Sequence, residues 1–377
     1  MTASSSERAG RVQTVTGLVD SDSLGITMPH EHLFVDVTCM FDPPTEASDR
    51  HRAYAPFALE HLGWIRTHYF RHYDNLLLAD ETTTVAELSL FRAAGGSTIV
   101  DVSTPGIGRD PLALARASRA SGVNVVMATG FYVASTHPRE VLGMSEADVA
   151  DRLIAEIYTG AVLTPATTGD QDWQPVPTPT GVRAGVIKVA CNYPLHPEER
   201  KVLVGAATAQ RATGAAITVH VGRHELSALE ILGVLRDAGA DLTRVSLDHL
   251  DLRVERSETL LEIAESGCML EFDLFGHESS YYPLTRRDMP SDAQRLDVIG
   301  DLASRGLTDQ ILISQDICTR HRLVRYGGHG YGHIVGHIVP RMRERGWQDE
   351  DIDSLVARNP ARLLTFVDGS GHERTER

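Results

Sequence analysis

Short apolar strands alternate with amphipathic helices along nearly the whole chain, and this alternation restricts the available folds more than any other feature. Strand patterns fall at residues 26–34, 97–103, 124–129, 185–190, 216–221, 244–249, 268–272 and 310–315. Helical patterns occupy 85–94, 111–120, 146–158, 197–213, 226–238 and 257–265 between them. Glycines at Gly95-Gly96, Gly122 and Gly239 mark junctions where a helix ends and a strand begins. Eight strands with interleaved helices predict an α/β fold, a (β/α)8 barrel distorted by inserted segments, and 377 residues suit one. The expectation is a single domain over 1–377, with an ordered core over about 12–366 and a flexible tail at 368–377. A doubly wound open sheet is the competing topology, but no GxGxxG follows the first strand. Two segments depart from a minimal barrel. Residues 36–75 are long, aromatic and charged and read as a helical insert, whereas 164–180, with four prolines, read as an irregular excursion.

Charge use is lopsided. Lysine and arginine number 36 together, yet only Lys188 and Lys201 are lysines. Lys188 sits inside the apolar run Gly185-Val186-Ile187-Lys188-Val189-Ala190. Burying an unpaired ammonium is costly, so such a lysine finds a partner, shifts its pKa or changes chemically. A neutral amine can take up carbon dioxide as a carbamate able to bridge two cations; a guanidinium cannot. The plainer alternative is a stem crossing the strand end with its head in water.

In a barrel of this kind the active site lies at the C-terminal ends of the strands. Strand one ends in His30-Glu31-His32, whose spacing of two points both imidazoles to one side. Strand four ends near Lys188, strand five at His220, strand six at Asp248-His249 and strand eight at Gln315-Asp316. Any one histidine reads more readily as a core or rim imidazole bonded to backbone than as a ligand. Four histidines, a lysine and an aspartate at the same end of five strands do not read that way. Divalent metals of the zinc type take imidazole and carboxylate ligands. His30, His32 and Asp316 form one set, His220 and His249 a second, and carboxylated Lys188 a bridge. The cofactors expected are two divalent ions, zinc first, with manganese, cobalt or iron(II) as alternatives. Such a pair generates hydroxide at neutral pH, and Asp316 is the group to accept its proton.

Three further side chains are candidate substrate contacts. Tyr132 follows strand three in Thr129-Gly130-Phe131-Tyr132, and His329 and His333 lie in the Gly-rich loop 326–333 after strand eight. That loop lacks the GK[ST] ending of a phosphate cradle. A net charge of −15 excludes nucleic acid and anionic membrane surfaces as partners, leaving a small-molecule substrate. Four scattered cysteines without a CxxC pair, and no apolar leader after Met1, indicate a reduced, cytoplasmic protein.

The motifs Pro29-His30-Glu31-His32, Thr129-Gly130-Phe131-Tyr132, Asp248-His249-Leu250-Asp251, Glu271-Phe272-Asp273-Leu274-Phe275-Gly276 and Asn359-Pro360-Ala361-Arg362 together resemble the phosphotriesterase family of the amidohydrolase superfamily, in its phosphotriesterase-related, N-acetyltaurine hydrolase-like branch. The resemblance spans nearly the whole chain. It implies a distorted barrel, a binuclear metal centre, a homodimer, and hydrolysis of phosphotriesters, lactones, esters or amides. The family's ligand pattern falls on His30, His32, Lys188, His220, His249 and Asp316. Three positions depart from relatives: Lys188 stands where that branch carries glutamate, Leu274 where lactonases often carry arginine, and Leu252 where phosphotriesterases carry a shuttle aspartate. The leading expectation is a binuclear hydrolase of carboxylic esters, lactones or N-acyl amides. A phosphotriesterase is the alternative, and a non-catalytic small-molecule binder on the same barrel is the alternative of another class.

Overall fold

The computed structural model describes residues 8–163, 178–278, 281–284 and 287–369. Eight parallel strands form the central sheet: β1 (Thr27–Glu31), β2 (Thr98–Asp101), β3 (Asn124–Phe131), β4 (Val186–Ala190), β5 (Ile217–His220), β6 (Val245–Asp248), β7 (Met269–Phe272) and β8 (Ile311–Ile313). Each pairs with its neighbour in sequence order, and helices pack outside them. This is the predicted barrel, with every expected strand present. The closing edge between β8 and β1 is not a regular ladder. It is made by loop and side-chain bonds: Asp316 N–H donates to the His30 carbonyl at 3.1 Å, and Ser314 Oγ lies 2.8 Å from the same oxygen.

Alternation along each strand divides the core. Ile187, Val189, Ile217, Val219 and Leu247 face the surrounding helices. Val186, Ala216, Met269 and Leu312 face the barrel interior, with Val100, Val126 and Ala128. Val12 from the hairpin of Arg11–Thr14 and Gly17–Asp20, and Leu363 and Leu364 from the helix Asn359–Leu364, join the same interior cluster. That hairpin and the helix Asp292–Ser304 were not among the sequence patterns. Insert 36–75 is helical as expected, with helices Ala47–Tyr54 and Leu62–Thr67 above a short ribbon pairing Val35–Asp36 with Leu77–Leu78. Most of the excursion at 164–180 and of the tail at 368–377 lies outside the described residues. All four cysteines are free. Among the described residues no helix is long and apolar enough to cross a membrane.

Candidate metal centre

Stepping by two up the interior face of four strands leads from apolar to polar to chemically active side chains. The series are Val186 to Lys188, Ala216 through Thr218 to His220, Met269 through Glu271 to Asp273, and Leu312 through Ser314 to Asp316. The barrel is thus plugged by hydrocarbon at its base and crowned by titratable groups. At β3 and β4 the backbones approach closely. Gly130, at φ 128°, permits this, since a Cβ there would lie 1.8 Å from the Lys188 carbonyl oxygen.

All six side chains singled out as ligands converge on one pocket of roughly 750 Å³, open mouth included. His220 Nδ1 and His249 Nε2 are 2.7 Å apart. Asp316 Oδ1 lies 3.3 Å from His32 Nε2 and 3.6 Å from His30 Nε2. Donor atoms of His30, His32 and Asp316 all lie within 4.8 Å of one another, and so do those of His30, Asp248, His249 and Asp273. The first trio is the one expected from sequence; the second brings in two aspartates that sequence reasoning quoted only as motif letters. Two of the six carry positive φ without being glycine, His249 at 62° and Asp316 at 50°. Such backbone costs of order 1–3 kcal/mol and clusters where function holds it in place.

A layer of partners orients these groups. Asp273 accepts from His249 Nδ1 at 2.7 Å and from the His249 backbone N–H at 3.1 Å, which turns Nε2 of that ring toward His220. Ser103 Oγ lies 2.8 Å from His32 Nδ1 and leaves Nε2 facing Asp316. Lys188 Nζ donates to Asp248 in a short, fully buried ion pair, and Thr218 Oγ1 donates to the other Asp248 oxygen at 2.7 Å. Glu31 accepts from the backbone N–H groups of Gln315 and Ile317, both at 2.8 Å, and so grips the backbone on either side of Asp316.

Electrostatics follow from this packing. Burial, then the Lys188 ammonium, lowers the pKa of His30, and burial with the neighbouring His249 lowers His220 well below the ordinary range. Burial also disfavours the His249 cation, but Asp273 and Asp316 outweigh it and its pKa is raised. Burial works against the Asp316 carboxylate, yet the hydrogen bond from His32 and the charges of His30 and His249 hold its pKa low. Glu31 is raised to about 8 by burial against its three hydrogen bonds. Imidazoles gathered around a low-pKa carboxylate are the donor set that borderline divalent ions take. His30 Nδ1 is buried without a hydrogen-bond partner of good geometry. The residues therefore fit a metal centre.

Tyr132 lines the pocket, with its ring edge-on to His220 at 5.1 Å. His329 and His333, expected as substrate contacts, are not among the residues that line it. The His329 ring packs on Gly276 and meets Arg322 Nε at 3.4 Å, while His333 Nε2 lies 2.7 Å from Asp292 Oδ2. They brace the wall because Arg322, not the loop, faces the cavity. Sequence reasoning missed Asp248, Asp273, Ser103, Arg253 and Arg322. The interior-face register would have pointed to two of them, Asp248 in step with Ser246 and Asp273 in step with Glu271.

A family model described as the phosphotriesterase family matches residues 10–364. The N-acetyltaurine hydrolase of Dictyostelium discoideum is 38% identical over 383 residues, covering 96% of this chain and 99% of the relative. That of Homo sapiens is 37% identical over 364 residues with the same coverage. The crystal structure of a resiniferatoxin-binding protein from Rhodobacter sphaeroides has a TM-score of 0.86 at 36% identity, covering 97% of each chain. Fold, pocket and relatives define a hydrolase on a (β/α)8 barrel. The chain belongs to the phosphotriesterase family.

Proposed function

We propose that this protein is a binuclear hydrolase that cleaves N-acyl amides, with esters and lactones as further carboxyl substrates. The observation that carries the reading is the convergence of His30, His32, Lys188, His220, His249 and Asp316 on one pocket, two of them held at positive φ. The N-acetyltaurine hydrolase relatives support the amide class. His30, His32 and Asp316 would hold one divalent ion and His220 and His249 a second, zinc being the first expectation. Carboxylated Lys188 would join the two. When bound, such ions supply Lewis acidity and lower the pKa of water.

The chain's own groups supply the rest. Among the site side chains His30, His32, Lys188, His249 and Asp316, Asp316 is the most exposed, at 14%. Its carboxylate is positioned to take the proton of an attacking water as the carbonyl carbon becomes tetrahedral, then return it to the departing nitrogen. Burial raises the Tyr132 phenol well above its ordinary range, so it stays a hydrogen-bond donor for the substrate oxygen. Val37, Phe70, Ile107, Leu252 and Leu274 line the remaining walls and exclude water. In these enzymes a phosphotriester needs room for three substituents around phosphorus. Insert 36–75 contributes Val37, Met40, Tyr69 and Phe70 to the mouth and narrows it.

The test is metal analysis together with a substrate screen. Reconstituted protein should hold about two equivalents of metal. It should hydrolyse N-acyl amides, esters or lactones with a higher kcat/KM than paraoxon-like triesters. A triester ahead of every carboxyl substrate would make the protein a phosphotriesterase. Two bound ions with no turnover of any class would make it a binding protein. Mass determination in solution tests the expected homodimer.

A further inference from the structure

The wall facing the metal-ligand cluster carries a guanidinium with no counter-charge. Arg253 is only 4% exposed and lines the pocket. Among the described residues its Nε and Nη1, both fully buried, have no hydrogen-bond partner, and no carboxylate pairs with the group. The group is stacked over the Tyr282 ring, 5.4 Å from its centroid. Arg8 is also buried without a partner among the described residues, but it lies over the Tyr158 and Phe366 rings and does not line the pocket. Arg295 pairs with Asp251 and Asp292, Arg109 with Glu156, and Arg322 donates to the carbonyls of Gln315, Asp316 and Phe275. Leaving a cation buried and unpaired is costly, and a site that keeps one is complementary to an anion that arrives from outside.

A second arginine stands nearby. Arg223 reaches Tyr282 Oη from Nε at 3.5 Å and Met40 Sδ from Nη2 at 3.8 Å, and has no carboxylate partner among the described residues. Tyr282 and Met40 both line the pocket. The two guanidiniums therefore meet the same aromatic ring at the mouth of the cavity.

Position relates this pair to the reacting atoms. Arg253 ends the single helical turn Leu250–Arg253 that begins directly after His249, and its backbone N–H donates to the His249 carbonyl at 2.9 Å. Arg253 and His249 line the same pocket, so one bound molecule can meet both. Leu252 and Leu274 line that pocket too and have no polar side-chain atom.

We infer that Arg253, assisted by Arg223, forms an anion subsite that selects N-acyl amides carrying a carboxylate or sulfonate. The inference rests on the hydrolase reading above and names the substrate class of that site. Planar guanidinium donors suit both oxyanions, and contacts to charged groups are among the stronger hydrogen bonds.

The experiment compares the metal-loaded parent with Arg253→Met and Arg253→Lys. N-acetyl-β-alanine supplies the carboxylate, N-acetyltaurine the sulfonate, and N-propylacetamide a neutral amide of similar length. Arg253→Met should lower kcat/KM for the preferred anion by about 10- to 150-fold, the range that a charged hydrogen bond of about 1.5–3 kcal/mol implies. Its turnover of the neutral amide should stay within about threefold of the parent. Arg253→Lys should recover part of the loss. Calorimetric titration with β-alanine and with taurine reads the subsite without turnover and should show weaker binding in Arg253→Met. Parent protein that cleaves the neutral amide as well as both anions overturns the inference while leaving the hydrolase reading intact. Arginine-dependent anion binding without turnover of any amide overturns the hydrolase reading and keeps the subsite. Arg253→Met with unchanged anion kinetics and binding overturns it outright, and equal metal content and melting temperature show that the variant is folded.

Discussion

Replacing Lys188 by methionine in metal-free protein removes one half of a fully buried ion pair. Asp248, whose side chain is 0% exposed, then keeps the Thr218 hydroxyl at 2.7 Å, the Ser246 hydroxyl at 3.5 Å and the His30 ring nitrogen at 3.4 Å. The Lys188 charge and burial oppose each other in setting the Asp248 pKa, and the ammonium is the main group that holds it low. Breaking such a pair by deleting one partner costs about 3–5 kcal/mol, because the remaining charge is stranded. Asp248→Asn in the Lys188→Met background removes that stranded charge and should recover about half of the loss. The assay is urea unfolding of chelator-treated parent, both single variants and the double variant, analysed as a cycle. A loss below about 1 kcal/mol in Lys188→Met would refute the pairing, since surface pairs fall in that range. Metal loading extends the test. Carboxylated Lys188 would exchange its ammonium for an anion, so Lys188→Ala should lose metal and activity, and propionate should partly restore both. A fully active Lys188→Arg enzyme would remove the bridging role.

Asp316→Asn should lower kcat by about 10²–10⁴ while changing KM little, because proton acceptance belongs to the transition state; steady-state kinetics on the best amide decide it, and a KM effect alone would reassign Asp316 to binding. His321 supplies a pH test away from the ligands. Burial, then Arg322 and Arg66, lowers its pKa to about 3, below an unfolded value near 6.5. Between those values the unfolded chain binds the extra proton, so its contribution is complete above about pH 6.5 and is lost as pH falls toward 3. Stability at pH 5.5 should therefore be about 1.4 kcal/mol lower than at pH 8 on account of this group. His321→Phe should flatten that part of the profile, since Asn75 Oδ1 still accepts the backbone N–H at 2.8 Å. Parallel profiles for parent and variant would show that His321 is not kept neutral.

Strand patterns, their order and the interior-facing parity of Lys188, His220 and Asp316 are local properties of the sequence. Apolar runs bounded by glycine turns and a side-chain period of two set them. This is why the barrel and six converging side chains were legible before any coordinates. The helix boundaries at Glu146–Tyr158 and Pro197–Thr213 were legible for the same reason, each opened by a capping residue, Ser145 and His196.

What surrounds those six side chains was not legible. The bond from His249 to Asp273 joins the ends of two strands 24 positions apart, and Lys188 meets Asp248 across 60. Such contacts depend on closure of the barrel rather than on any local pattern. His329 and His333 show the converse. A position in the Gly-rich loop after strand eight suggested the pocket, and in space the two rings pack against Gly276 and Asp292 in the wall. Arg253 gave no signal, since one arginine among many becomes distinctive only when every neighbour that would neutralise it is seen to be elsewhere. The sequence by itself determined the alternation, the strand-end chemistry and the family. Only the tertiary structure decided which charges meet and which one is left for a ligand, because pairing and burial are properties of distance in space.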